Sequence, residues 1–382
     1  MKQIKGFKNS YILTEEGIKK TNLIIKNGII LSIGDQTIDG MIELDEDKIL
    51  VPGFIDQHIH GALGVDTIDG NIENISIIAH TLPREGITAF LPTTTTQSVE
   101  VIDKSLNAVK EYIYNNDETA AIVLGTHLEG PFISEKYMGA QNKNYILKPS
   151  VDIFKHFEQV SQNTIKIVSL QIEEESKELV EYLKSKNIII SIGHSNSKYE
   201  DVKEAIKQGV TCVTHTYNAM KPIHHREIGT VGSAMLFDEL YSELICDGIH
   251  VCKEAVNLLY KNKPKDKLIL ISDALRTKYM PDGLYHELDQ TIILKNKKVT
   301  LEDGTLAGSV LKLNEAVKNL MDYTGTDLIT SIKCVTENPS KNLGIFDKMG
   351  SIKENKLANF VVIDKNINVY QTIIKGIIIY NK

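Results

Sequence analysis

Residues 54–60 read FIDQHIH, a short β-branched segment that continues the apolar run ILVP at 49–52 and ends in two histidines. Seven later segments repeat that plan of apolar residues closing on chemically capable polar ones: ITAFLPTTTT (87–96), AAIVLGTHLEG (120–130), IKIVSLQIE (165–173), IIISIGHS (188–195), VTCVTHTYNA (210–219), SELICDGIH (242–250) and KLILISDA (267–274). Continuous apolar strands are buried on both faces, and strands that alternate with helices form parallel β/α units. The intervening stretches carry helical periodicity. After Ser98, the residues Ile102, Leu106, Val109 and Ile113 share one face; Ser197 and Glu200 form a capping box ahead of Val202, Ala205 and Ile206, with Gly209 as the stop. Eight units over residues 54–345 predict a (β/α)8 TIM-like barrel, whose active sites lie at the carboxyl ends of the strands.

Residues 1–53 and 346–382 read differently. In LIIKNGIILSIG two β-rich runs meet at Asn27-Gly28, which predicts a tight hairpin, and the last stretch is again strand-like, broken by Lys, Asn and Gly. A small β-sandwich domain formed by both chain ends, with the barrel inserted between them, accounts for both flanks.

Composition narrows the function. The chain has 382 residues, 42% hydrophobic and 24% charged, which is ordinary for a globular protein. A net charge of -7 argues against a nucleic-acid surface, and no apolar run approaches the length needed to span a bilayer. The N-terminus lacks the apolar core of a signal peptide, so a cytoplasmic protein is expected. Cys212, Cys246, Cys252 and Cys334 show no Cys-x-x-Cys pair and read as reduced core residues rather than zinc ligands or disulfides.

Chemistry gathers at the strand ends. His58 and His60 fall on the same face of the first strand, Glu129 ends the third, His194 the fifth, His215 the sixth and Asp273 the eighth. Singly each has a bland reading: Glu129 caps the Gly130-Pro131 turn, His194 bonds a carbonyl, Asp273 caps a helix. Together, six imidazoles and carboxylates at five strand ends of one rim point to a metal site. The absence of thiolates suits zinc, iron, manganese or cobalt. Such an ion would generate a water-derived nucleophile at neutral pH, and Asp273 would shuttle a proton to the leaving group: hydrolysis. His127 lies on the face of Glu129 and reads as a partner orienting a ligand, whereas His80 and His156 in predicted helices and His286 in a predicted loop read as structural.

The order PGFIDQHIHG, HLEGPF, GHS, THTYNAM, HHREIG, DGIHV, SDA and LAGS resembles the amidohydrolase superfamily and, within it, the N-acetylglucosamine-6-phosphate deacetylases. TENPSKNLGI and GSIKENKLANFVVID extend the likeness nearly to the C-terminus. The resemblance implies a principal divalent metal on Glu129, His194 and His215, with zinc the first candidate, and Asp273 as catalytic acid and base. It implies a second metal position from His58 and His60, with Glu129 bridging and Asp273 close by. Asn218, Ala219 and Arg226 would hold a phosphorylated amino sugar, Arg226 taking the phosphate with help from His225; His250 would contact the sugar and polarise the acetamide carbonyl. Leu306, Ala307 and Gly308 would line the acetyl pocket, and a homodimer would let the arginine motif reach a neighbouring site. One departure stands out: where the family often has Gly-x-His, this chain has Gly139-Ala140-Gln141, and Gln141, which carries no charge, is expected to bind a sugar hydroxyl. Rival readings are the galactosamine epimer as substrate, a cyclic amide, or a scaffold without catalysis. A cyclic-amide enzyme would commonly carry a fourth-strand lysine for carbamylation, and Lys166 stands only at the start of that strand, which ends in Gln171 and Glu173.

Overall fold

The computed structural model describes residues 2–382. Nine parallel strands carry the central part of the chain: β1 (Phe54–Ile59), β2 (Ile87–Pro92), β3 (Ile122–Val123), β4 (Thr126–Glu129), β5 (Ile165–Leu170), β6 (Ile189–Ile192), β7 (Cys212–Val213), β8 (Tyr241–Ile245) and β9 (Leu268–Ile271). They form a three-stranded sheet, β3-β2-β1, and a six-stranded sheet running from β4 to β9 in sequence order. All pairings within them are parallel. The third apolar run therefore divides into β3 and β4. The break falls at Gly125, with φ 149°, where a Cβ would lie 2.4 Å from Thr164 O, a carbonyl that accepts from Thr126 N.

Backbone contacts join the two sheets. A parallel bridge links Thr93 to His127 at one seam; at the other, Asp273 N donates to His58 O and His60 N to Ala274 O, both at 2.9 Å. Helices fill the intervals, as the periodicity predicts. Val99–Asn115 starts at Ser98, whose hydroxyl accepts from Val101 N, and buries Ile102, Leu106 and Val109. The helix that ends at Gly209 is Tyr199–Gln208, one residue later than the expected box allows. Asp201, not Glu200, reaches back to the Lys198 N–H at 2.8 Å, because the Ser197 hydroxyl is drawn inward to Ile172 O. Two large apolar clusters hold the helices on the sheets, one around Phe54, Phe90, Leu270 and Val317, the other around Leu128, Phe154, Val168 and Val202.

Both chain ends meet in one nine-stranded sheet, in which Ile49–Pro52 pairs Phe360–Ile363 on one side and Gly6–Thr14 on the other. Its hairpin turns at Asn27-Gly28 with φ 53° and 75°, the positive values that a type I′ turn requires. An element absent from the sequence reading is the three-stranded antiparallel sheet Gly283–Glu287, Gln290–Lys295 and Lys298–Leu301. His286 thus sits on a strand rather than in a loop. Three cysteines are buried as expected, but Cys252 is exposed ahead of helix Lys253–Asn262. Among the described residues no helix is long and apolar enough to cross a membrane.

Candidate active site

The carboxyl ends of the parallel strands converge on Glu129, which is 2% exposed. Around its carboxylate lie His215 Nε2 at 3.0 Å, His194 Nε2 at 3.3 Å, His60 Nε2 at 3.4 Å and His58 Nε2 at 3.6 Å. Asp273 Oδ1 stands 3.1 Å from His60 Nε2 and 3.4 Å from His58 Nε2. Three of these residues leave their strands through left-handed backbone, His194 at φ 46°, His215 at φ 29° and Asp273 at φ 48°. Non-glycine residues take that conformation at a cost, and such positions cluster at functional sites.

The donor set fits a divalent ion. Two groups of ligand atoms lie close enough to share one: Glu129, His194 and His215, and His58, His60 and Asp273. His194 donates Nδ1–H to Tyr137 O at 3.0 Å, which leaves its Nε2 lone pair facing Glu129. His215 Nε2 and His194 Nε2 stand 3.2 Å apart, and His58 Nε2 is buried without a hydrogen-bond partner. Imidazole nitrogens crowded around one carboxylate suit a cation better than they suit one another. A third group, His58, His127 and Glu243, has no free ligand on His127: its Nδ1–H donates to Gln57 O at 3.1 Å and its Nε2 accepts from the Ser169 hydroxyl at 2.7 Å.

Without an ion, protons balance the two carboxylates. Burial alone would lower His60, but Asp273 and Glu129 outweigh it and raise the imidazole to about 10. Burial would raise Asp273, yet His58 and His60 bring it down to about 2. His127, buried beside His58, falls to about 3 and is neutral.

Above this cluster opens a cavity of about 220 Å³. It is lined by Ala140, Gln141, Asn218, Ala219, His250, Leu306, Ala307 and Gly308, the positions expected to meet substrate, along with His60, Glu129, His194, His215 and Asp273. His58 lies beneath it, fully buried. His250 donates Nδ1–H to Asp247 Oδ2 at 2.7 Å, and although burial disfavours its charged form, Asp247 raises its pKa. Gln141 is less free than expected: its carbonyl accepts from the Thr95 hydroxyl and Thr96 N at 2.7 and 2.6 Å, and its amide donates to Glu129 Oε2 at 3.0 Å. One Nε2 hydrogen remains free of these partners. His225 and Arg226 are not brought to this cavity; both are exposed and contact each other at 2.7 Å, and no lysine or arginine lines the wall.

Sequence reasoning missed several residues here. The antiparallel sheet supplies Glu287, Gln290, Ile292 and Leu301 to the wall, and Asp289 at its hairpin tip grips Gln97 and Asn142 at 3.1 and 2.6 Å. The alternation in TIILKNKKVTL and the Asn296-Lys297 turn were its signals. Glu243 and Asp247 were also missed. A lone carboxylate inside the apolar run SELIC is itself a signal, since a buried charge demands partners. The start of β5 leaves Lys166 exposed, away from the cluster, which removes the support that a cyclic-amide reading would need.

Comparison with known proteins agrees with this geometry. The amidohydrolase family model matches residues 49–379. N-acetylglucosamine-6-phosphate deacetylase of Bacillus subtilis (strain 168) is 38% identical, over 96% of each chain. N-acetylgalactosamine-6-phosphate deacetylase of Escherichia coli O157:H7 is 32% identical, also over 96% of each. The crystal structure of N-acetylglucosamine-6-phosphate deacetylase from Thermotoga maritima superposes with a TM-score of 0.90 at 33% identity, covering 99% of this chain and 100% of that one. A match that runs from Ile49 in the shared sheet to the last strand, over strand ends that present an imidazole and carboxylate cluster, makes this chain a member of the amidohydrolase family.

Proposed function

We propose that the chain is a metal-dependent deacetylase that hydrolyses N-acetyl-D-glucosamine 6-phosphate to D-glucosamine 6-phosphate and acetate. The observation that carries the proposal is the convergence of four imidazole Nε2 atoms on Glu129, with the Asp273 carboxylate against two of them, at the floor of a cavity the size of a small ligand. The names of the relatives supply the substrate class.

In this reading Glu129, His194 and His215 would hold the principal ion, and His58 and His60, with Glu129 and Asp273 close by, would hold a second; zinc is the first candidate, with iron, manganese and cobalt as rivals. A divalent ion there supplies Lewis acidity, polarising the acetamide carbonyl and lowering the pKa of water to about 7. Asp273 accepts the proton of the attacking water and delivers it to the departing amine, so that one amide C–N bond breaks and one C–O bond forms. His250, oriented by Asp247, donates from Nε2 to the acetamide oxygen as negative charge grows there. Asn218 and Ala219 orient the sugar, Gln141 meets a hydroxyl, and Leu306, Ala307 and Gly308 enclose the methyl group.

The wall lacks a cation for the phosphate, whereas Arg226 and His225 are exposed. A homodimer in which each subunit lends Arg226 to its neighbour accounts for both facts. The same reading divides the chain into a barrel at residues 54–345 and a β-sandwich from 1–53 and 346–382. Closure of the two parallel sheets into one (β/α)8 barrel is supported by the contacts at Thr93–His127 and Asp273–His58. Amino-sugar catabolism or cell-wall sugar recycling in the cytoplasm is the setting that this chemistry serves.

The deciding experiment measures bound metal and acetate release together. Stoichiometric acetate from the phosphorylated glucosamine derivative is expected. Faster release from the galactosamine epimer would reassign the substrate, metal without release from either would reassign the reaction, and neither metal nor release would leave only a scaffold.

A further inference from the structure

We propose that Glu243 is a positioning residue that holds His58 as its Nδ1–H tautomer, so that the Nε2 lone pair of His58 is presented to a second cation beside Asp273 and His60.

The argument begins with what a carboxylate can do. Glu243 lies on β8 and is fully buried, and an ionised carboxylate only accepts hydrogen bonds. Its Oε1 is 2.6 Å from Gln57 Nε2, and its Oε2 is 3.1 Å from His58 Nδ1 and 3.3 Å from the His215 backbone N. Each of those nitrogens must therefore donate. Gln57, with its amide turned towards Glu243, has its carbonyl left for Asn342, whose Nδ2 donates to it at 3.0 Å. The row Asn342–Gln57–Glu243–His58 thus has one direction, set by the one member that cannot donate.

For His58 the consequence is specific. With its proton on Nδ1, the neutral ring carries its lone pair on Nε2, the buried atom that has no hydrogen bond and stands between Glu129 and Asp273. His127 packs edge-on against His58 with ring centroids 4.5 Å apart and cannot compete for Glu243, because Gln57 O and the Ser169 hydroxyl take both its nitrogens. A carboxylate behind a ligating imidazole fixes its tautomer and raises its basicity, and loss of such a partner weakens metal binding by about 10–100-fold. No such carboxylate stands behind His194, which is set by the Tyr137 carbonyl. Glu243 meets the first position only through the His215 backbone N, whereas at the second it meets the His58 imidazole itself.

This inference rests on the metal reading above, and its test separates the two. In Glu243→Gln the side chain keeps its shape but turns one acceptor into a donor. Titration of the metal-free chains with zinc, followed by calorimetry and by zinc per chain, should give two sites in the wild type. The variant should keep one unchanged, with the other weakened about 10–100-fold. Two equally tight sites in the variant overturn the role of Glu243 and leave the metal reading standing, whereas a wild-type chain that takes up no zinc overturns both. A second measurement needs no variant: in the zinc-loaded wild type, nitrogen-15 spectra should show a solvent-protected proton on His58 Nδ1 and zinc-shifted Nε2, and a proton on Nε2 overturns the inference.

Discussion

Replacing Asp273 by Asn removes the proton-transfer group, and with it a carboxylate of the second metal position, while leaving the principal position in place. Asn is isosteric and tolerates the φ of 48° found here, and the backbone bonds that anchor the position remain, Asp273 N to His58 O at 2.9 Å and Ser309 N to Asp273 O at 2.7 Å. The fold is expected to survive. What disappears is a group able to take a proton and give it back, since a neutral amide does neither. A positioned acid or base contributes about 10²–10⁴-fold, so kcat should fall by that factor, or about 3–5 kcal/mol in the barrier. The principal ion should remain, because Glu129, His194 and His215 are untouched. The assay is acetate release against N-acetylglucosamine 6-phosphate concentration, with metal content determined on the same sample. Retention of full kcat with metal in place would refute the assignment and shift the acid–base role to another titratable group of the cavity wall, His250 or Glu287.

Other outcomes follow from the same geometry. Arg226→Ala should raise KM for the phosphorylated sugar by about tenfold to a hundredfold, the worth of one hydrogen bond to a charged group. Mixed dimers with Asp273→Asn should regain turnover, and activity no greater than the sum of the two variants would refute the shared site. Removal of metal by a chelator should lower the thermal midpoint, because it removes a linkage energy of about 4 kcal/mol when free metal exceeds Kd by ~1,000-fold. Uptake should release protons and tighten as pH rises, because His60, held at about 10 in the metal-free cluster, must lose its proton to ligate; a proton count of zero by calorimetry in two buffers would contradict this. Away from the site, Lys278 Nζ and Glu85 Oε1 form an ion pair of 2.6 Å with both side chains fully buried. Glu85→Gln should cost about 3–5 kcal/mol in denaturant unfolding, because it strands a buried ammonium, and a loss under ~1 kcal/mol would contradict this.

Much of the architecture was legible because its signals are local. Runs such as IIISIGHS state their own burial, Asn27-Gly28 states its turn, and Gly209 ends its helix, each through backbone preferences that act over a few residues. Boundaries were less legible. Gly125 splits one run in two because the Thr164 carbonyl, just ahead of β5, sits against it, and Ser197 forsakes its cap because Ile172 O lies within reach. Neither neighbour is close in sequence.

The same division runs through the site. Six ligand-type residues could be gathered from one chain of letters, since strand ends in parallel β/α units share a rim and the residue types name the chemistry. What those letters left open was decided by tertiary contact alone: that Gln141 spends its carbonyl on Thr95 and Thr96, that Asp247 orients His250, that Arg226 does not line its own cavity, and that Glu243 sets the proton on His58. Residue identity determines which bonds a side chain is able to make. Which partner it meets depends on chain segments far apart in sequence, 285 residues at Gln57 and Asn342, and only the packed structure brings those together.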